Sequence, residues 1–325
     1  MTRLHPDADV IMSRLEMEGI TEFYHFTSVE NLPGICQKQA LCSKQVLEVQ
    51  GNWPPPVPGG DSLSHVLDQR MCNWDKISLS LTPYTPMAYW KKKEQHLCFF
   101  VIRPEVATLL GVEFTHTNAA NTTNYHRGEG LQGLDCIDFD AIRSIPRPWD
   151  KEGWVYPVQA EILVPRKIPF EYIKNIVFVS KASLLCAEYL CGSLSHPLFV
   201  KDRSLFLEKP EPENAEMEFS YVDKLLLTDE EIDDIKPGAS FKYKKKNFRS
   251  SSSRVTILTL LNLVADATIE VRWFPGGITE ASEIRGSGSW YHWPHIILNK
   301  LPKGECSVEY YLNGVFWAAD SFEVI

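Results

Sequence analysis

The sequence lacks an excess of positive charge, and that absence narrows its options first. Its 325 residues hold 33 Lys and Arg against 42 Asp and Glu, a formal net charge of −9. Residues 1–210 carry 21 basic against 24 acidic side chains, and residues 211–325 carry 12 against 18. A protein that coats nucleic acid through a global field is strongly basic. Any nucleic-acid partner must therefore be held by local features. No apolar run approaches the roughly 20 residues that a membrane-spanning helix needs. The first 18 residues have no basic stretch followed by an apolar one, so no secretory signal is read and a cytoplasmic setting is expected. The eight cysteines include no CxxC pair and no regular framework, which favours reduced thiols over a disulfide scaffold. There is no internal repeat and no glycine-rich GxGxxG dinucleotide fingerprint.

What is present suits two domains with sizeable cores. The chain is 44% hydrophobic and 23% charged, and its length is comfortable for two units. The stretch EKPEPENAEME at 208–218 is rich in Pro and Glu and is the linker candidate. The expected division is 1–208, a linker at 209–218, and 219–325. Residues 54–60 (PPPVPGG) and 249–253 (RSSSS) read as loops. Before the linker, Asp9 is expected to cap a helix ending near Gly19, and Ser28 one running to about Lys38. Helices are also expected over 62–73, 104–110 and 181–191, and strands over 77–81, 97–102, 158–164 and 173–179. Strands and helices do not alternate strictly, which argues for an α+β arrangement. After the linker the pattern is strands. Ile269, Val271 and Trp273 alternate with polar residues, as do Cys306, Val308, Tyr310 and Leu312, and Asn313-Gly314 is a two-residue hairpin signal. These imply a small immunoglobulin-like β-sandwich.

Three local features could carry chemistry. Tyr24-His25-Phe26-Thr27 sets a His between aromatics ahead of a capped helix. A core His with satisfied ring nitrogens is the plain alternative. Arg70 ends an amphipathic helix, where a solvated face is the plain alternative. Gln159 and Glu161 open an apolar strand, on whose exposed face they could simply lie.

As an ordered set these pieces resemble the DarT family of ADP-ribosyltransferases over roughly residues 20–190. Tyr24-His25-Phe26-Thr27 with Val29, Asn31-Leu32 and Gly34-Ile35 is similar to the family's opening His-x-Thr segment and following helix. Residues 65–70 resemble the helix carrying its NAD-binding arginine. Leu81-Thr82-Pro83 with Pro86-Met87 resembles its strand and following loop, and Gln159-Ala160-Glu161-Ile162-Leu163-Val164 its catalytic strand. Ser80 stands where that family usually has an aromatic, and Asn118 where a His is usual. The resemblance implies a split β-sheet core, NAD as co-substrate, no metal, and transfer of ADP-ribose to a base of single-stranded DNA or RNA. It implies a toxin or anti-phage role.

The implied chemistry explains the residue types. Cleavage of the nicotinamide–ribose bond passes through an oxocarbenium-like state, which a fixed carboxylate stabilises. Glu161 takes that part, with Gln159 orienting the acceptor and Arg70 clamping the pyrophosphate. His25, Thr27, Asn31, Ser78, Ser80 and Met87 are the implied NAD contacts. Asn118, with Arg143, Arg147 and Trp149 from the loop at 140–157, are the implied acceptor contacts. Tyr89-Trp90-Lys91-Lys92-Lys93 offers aromatics beside a basic run, or else a solvated turn. A protein acceptor and a non-catalytic NAD- or partner-binding module are the alternatives. The C-terminal unit could receive an antitoxin or regulator. Its basic stretch 242–249 reads as a solvated loop, and its Trp290, Tyr291 and Trp293 as core or rim packing. His292, His295 and Cys306 do not have zinc-module spacing.

Overall fold

A computed structural model describes residues 3–121, 126–144, 153, 155–194, 198–208, 215–232, 246–249 and 254–325. Helix α1 (Ala8–Met17) leads into β1 (Phe23–Ser28). A one-turn helix, Val29–Asn31, is followed by α2 (Leu32–Lys38), β2 (Ala40–Cys42), α3 (Lys44–Val49) and α4 (Ser62–Arg70). Then come β3 (Lys76–Ser80), α5 (Pro86–Glu94), β4 (Leu97–Ile102), β5 (Glu113–Thr115) and β6 (Arg127–Glu129). Short helices α6 (Gly130–Leu134), α7 (Phe139–Arg143) and α8 (Val155–Val158) precede β7 (Glu161–Pro165) and β8 (Lys167–Pro169). The run closes with β9 (Ile173–Phe178), α9 (Lys181–Cys191) and β10 (Phe199–Lys201).

Eight of these strands form one sheet, in the order β10-β9-β4-β1-β3-β7-β5-β6. β1 pairs with β4 along its whole length, and β3 does the same with β7. Between β1 and β3 the pairing is a single position, Tyr24 opposite Ser80. The sheet parts there into two halves, as the expected split core requires. β4 reads LCFFVI and is buried throughout, the pattern of a strand covered on both faces. Cys98, Phe100 and Ile102 enter one core with Ile11, Phe114 and Ile162. Leu97, Phe99 and Val101 enter a second core that continues into the C-terminal strands.

Those strands are β11 (Tyr221–Thr228), β12 (Asn247–Phe248), β13 (Arg254–Leu263), β14 (Ala267–Phe274), β15 (Ile278–Ile284), β16 (Gly288–His292), β17 (His295–Ile297), β18 (Gly304–Leu312) and β19 (Val315–Val324). They make one sheet around β11-β13-β16, with β17 beside β13, and a second in the order β12-β19-β18-β14-β15. Leu225, Ile257 and Leu261 of the first meet Val271, Trp273 and Val308 of the second. The Thr259 hydroxyl donates to the Tyr310 oxygen across the gap at 3.2 Å. Asn313 and Gly314 both have positive φ, 53° and 76°, as a type I′ hairpin demands. The segment also touches the first region directly, at the residue before β4 and at α9. His96 Nδ1–H donates to the Phe316 carbonyl at 3.0 Å, Ser183 hydrogen-bonds its Nε2 at 2.5 Å, and the ring stacks on Trp317 at 4.4 Å. Burial pushes this imidazole down to about 3, so it is a neutral packing element.

Several element boundaries differ from those the sequence suggests. α1 begins at Ala8 after Asp7, so Asp9 lies inside its first turn. Ser28 caps only one turn, and the chain restarts as α2 with Pro33 in its first turn. The 62–73 helix stops at Arg70, and 104–110 is a single 3-10 turn, Pro104–Thr108. Pro86 begins a helix capped by Thr85, not a loop, since proline's missing N–H is tolerated at the first helical position. The strand expected from 158 starts at Glu161, because α8 holds 155–158. Of the linker, 209–214 fall outside the described residues. Met217 beyond them is buried in the second core, and Glu218 pairs with Lys93 at 3.5 Å. The 249–253 loop is described only at Arg249, and 242–245 also fall outside the described residues.

One close approach positions the hairpin β5–β6. A Cβ placed on Gly133 would lie 1.9 Å from the Gly128 carbonyl oxygen, so α6 can seat on β6 only with glycine there. Gly133→Ala should therefore lower Tm by about 5–10 °C, an overpacking effect of roughly 2–3 kcal/mol. Differential scanning calorimetry checks this, and an unchanged Tm would contradict the close contact.

Candidate active site

Where the sheet parts, a cleft of ≈ 660 Å³ opens, lined by β1 on one side and β3 on the other. That lies in the range of about 300–1,000 Å³ common for ligand sites. Among the described residues no group of His, Cys, Asp and Glu could hold a metal ion, and no helix is long and apolar enough to cross a membrane.

His25 is on β1, and its Nδ1–H donates to the Ser78 carbonyl on β3 at 3.0 Å. This bond spans the split and leaves Nε2 as the acceptor nitrogen. Burial lowers the pKa of His25, so the ring is neutral. Glu161, the first residue of β7, is paired in register with Ser80 on one side and Thr115 on the other. Its Oε2 accepts from the Ala119 N–H at 2.9 Å. Burial raises its carboxyl pKa to about 7. Asp68 adds to that rise, while the Ala119 N–H, Lys44 and the Ser78 hydroxyl oppose it.

The roof of the cleft is the segment 52–60. Asn31 grips it with its whole amide: Nδ2 donates to the Val57 carbonyl at 2.7 Å, and Oδ1 accepts from the Val57 N–H at 3.0 Å. The same Nδ2 donates to Thr27 Oγ1 at 2.9 Å. Asn31 is thus a loop anchor that also lines the cleft. His65 Nε2–H donates to the Gly59 carbonyl at 2.8 Å. Trp53 packs edge-on against His65 and Trp74.

Thr27, Asn31, Ser78, Ser80, Met87, Asn118 and Gln159 all line the cleft with His25 and Glu161. Gln159 reaches it from a turn and not from the strand. Arg70 does not line it: the side chain is exposed at the end of α4. The face of α4 that enters the cleft carries Ser64 and Asp68 instead, and residue 70 lies about 200° round the helix from residue 68. Arg143 is also elsewhere. It pairs with Glu18 at 2.7 Å and Asp140 at 2.6 Å, tying α7 to the end of α1. Arg147 and Trp149 lie outside the described residues.

The run Lys91–Lys93 is neither a solvated turn nor a uniform basic track. Lys92 is buried and donates to the Phe206 and Leu207 carbonyls at 2.6 and 2.9 Å. Burial brings its pKa down to about 8. Lys91 alone of the three lines the cleft, while Trp90 beside it is 61% exposed. In the C-terminal strands Trp290 is exposed and Tyr291 and Trp293 are half-buried, which is rim packing.

Sequence reasoning missed Lys44. It is the first residue of α3, capped by Ser43, lines the cleft, pairs with Asp68 and sits 5.5 Å over the Trp74 ring. Nothing in its local pattern separates it from a surface lysine. Asn73, which bonds the turn that holds Glu161, carried no signal either.

The family model described as ssDNA thymidine ADP-ribosyltransferase, DarT, matches residues 24–200, more than half of the chain. The chain belongs to the DarT family. It is an ADP-ribosyltransferase that uses NAD+ as co-substrate. Among solved structures it is similar to the Thermus sp. 2.9 DarT in complex with NAD+, at 17% identity and a TM-score of 0.45, covering 58% of this chain and 98% of that one. The same Thermus protein in complex with ADP-ribosylated ssDNA matches at 18% identity and a TM-score of 0.45, covering 64% of this chain and 100% of that one. The Thermosipho africanus DarTG in complex with ADP-ribose matches at 19% identity and a TM-score of 0.45, covering 57% of this chain and 51% of that one. No curated protein matches.

Proposed function

We propose that this DarT member transfers ADP-ribose from NAD+ to a thymine base in single-stranded DNA, with Glu161 as the catalytic carboxylate. The observation that carries the reading is the meeting of His25, Ser78 and Glu161 at the one place where the sheet parts. In the reaction the C1′–N bond to nicotinamide breaks and its electron pair goes to the pyridinium nitrogen. Positive charge grows on the ribose, and the Glu161 carboxylate stabilises it there. N1 of thymine in DNA is already glycosylated, so N3 is its only ring N–H. N3 forms the new bond to C1′ and its proton passes to Glu161.

The other cleft residues divide the binding. His25 Nε2 accepts from a ribose hydroxyl, and Thr27, Ser78, Ser80 and Met87 line the dinucleotide's path. Lys44 takes the pyrophosphate in the place expected of Arg70. Its ammonium is a point charge where a guanidinium would be a fork, and Asp68 and Trp74 hold it ready. Gln159 and Asn118 face the acceptor base.

The strand of DNA runs along α5. Met87 and Lys91 line the cleft mouth, and the exposed Trp90 indole supplies a stacking surface for a flanking base. Trp90→Ala should weaken binding of a single strand by about tenfold and leave the KM for NAD+ unchanged. Fluorescence anisotropy with a labelled oligonucleotide reads this, and unaltered affinity would remove α5 from the track.

An adduct at N3 blocks the pairing edge of the base, which suits a toxin or anti-phage effector. Residues 219–325 are read as an immunoglobulin-like unit, supported by two sheets, antiparallel but for the β12–β19 pair, that share a core. Its edge strand β15 has no buried residue and is a natural docking edge for an antitoxin or regulator. The test is incubation with labelled NAD+ and separate pools of thymidine-containing single strands, RNA and protein, followed by nucleoside mass spectrometry. Label confined to thymidine supports the proposal, and label on RNA or protein alone defeats it.

A further inference from the structure

We infer that Asn73 is a positioning residue for Glu161, holding the turn whose Ala119 N–H fixes one oxygen of the catalytic carboxylate. The inference rests on the reading of Glu161 given above. Asn73 lies between α4 and β3 and is 4% exposed. Its Nδ2 donates to the Ala119 carbonyl at 2.9 Å, and Ala119 in turn donates its N–H to Glu161 Oε2. The backbone of Asn73 is equally occupied: its N–H donates to the Asp68 carbonyl at 2.7 Å and its carbonyl accepts from the Lys76 N–H at 2.9 Å.

The orientation of the amide is settled from its other end. Arg127 Nη1 donates to Asn73 Oδ1 at 3.0 Å and to the Met71 carbonyl at 3.0 Å. Arg127 also pairs with Glu113, which pairs with Lys76 at 3.2 Å. A donor on the oxygen side forbids the flipped amide, so Nδ2 must face Ala119. The turn is internally tied as well, with Asn118 Oδ1 accepting from the Ala120 N–H at 2.9 Å. A part-buried ion cluster therefore reaches the carboxylate through two hydrogen-bonded residues. The consequence is chemical as well as geometric. An N–H aimed at a carboxylate favours its ionised form, the form that serves as base. The charged and titratable groups acting on Glu161 from neighbouring elements are Asp68 on α4 and Lys44 on α3, with His25 on β1 across the cleft. None of these depends on Asn73's side-chain amide.

The test is the pH dependence of kcat/KM for transfer to a thymidine-containing single strand, for the parent, Asn73→Ala, Arg127→Met and Glu161→Gln. Removing the amide should move the acid limb up by about one pH unit while KM for NAD+ stays within about threefold. Arg127→Met leaves Asn73 in place but frees its oxygen, so the same limb should move about half as far. A merely structural asparagine would lower activity at every pH alike and leave the limb where it was. An unmoved limb in Asn73→Ala overturns the inference. Should that variant fail to fold, an unmoved limb in Arg127→Met overturns it instead. A Glu161→Gln enzyme that still transfers overturns the underlying assignment of the base, a distinct failure.

Discussion

Glu161→Gln is expected to leave NAD+ binding intact and to lower kcat for transfer by about 10²–10³-fold. The substitution keeps the side chain's shape. The Ala119 N–H, now 2.9 Å from Oε2, still finds an amide oxygen to donate to. What disappears is the negative charge, at a position where positive charge exists only in the transition state. A loss confined to kcat is the signature of an interaction made there and not in the ground state. Isothermal titration with a non-hydrolysable NAD+ analogue separates the two quantities. A variant that loses binding and kcat in parallel would make Glu161 a binding residue only. His25 serves as a contrast. Its Nε2 is an acceptor in both ground and transition states, so its removal should appear chiefly in KM.

The second large effect is of pH. The Glu161 carboxyl is raised to about 7, first by burial and then by Asp68, and only its ionised form can accept a proton. Transfer should therefore rise with pH through 7 and fall by about 10²-fold between pH 8 and pH 5. Burial lowers the pKa of His25 from its ordinary value, so its titration does not oppose the rise of the Glu161 limb near 7. A profile flat from pH 5 to 8 would contradict the assignment. The same shift has a consequence for stability, with its own sign. A carboxyl raised in the folded state is ionised more readily in the unfolded chain. Its penalty on folding is absent below the ordinary carboxylate value, grows as pH rises, and is complete above about 7. Glu161→Gln should thus be more stable than the parent at pH 8, by about 2–5 °C in Tm, and equal to it near pH 4. A variant that kills activity and raises Tm would mark a carboxylate kept for chemistry and not for the fold.

The parts of the site that could be read from the chain are those with local signatures. His25 lies in a short aromatic strand before a capped turn, and Glu161 opens an apolar one, so their elements were visible in period and capping. The hairpin at Asn313-Gly314 was visible because two positive φ values restrict the residues that fit. Arg70 was assigned to the cleft only through the family resemblance, since its own helix pattern suits a solvated face. The helix rotation that turns Asp68 inward and Arg70 outward follows from packing of α4 against the 52–60 segment and α3, which its own pattern does not encode. Lys92 shows the same limit in reverse. A lysine in a basic run reads as solvated, yet the Phe206 and Leu207 carbonyls, more than a hundred residues away, provide its partners.

The amino-acid order by itself determined the mixed first region, the β-rich remainder and most of the elements, while His25 and Glu161 were brought together only by the family resemblance. Only the tertiary structure decided which cations line the cleft, which asparagine side chains hold loops, and that the C-terminal strands pack on α9 and share a core with β4. The reason is one of range. Periodicity, caps and turns are settled by neighbours within a few residues. The neighbours that set a charge's partner, burial or pKa are distant in the chain and are chosen only when the sheets close on one another.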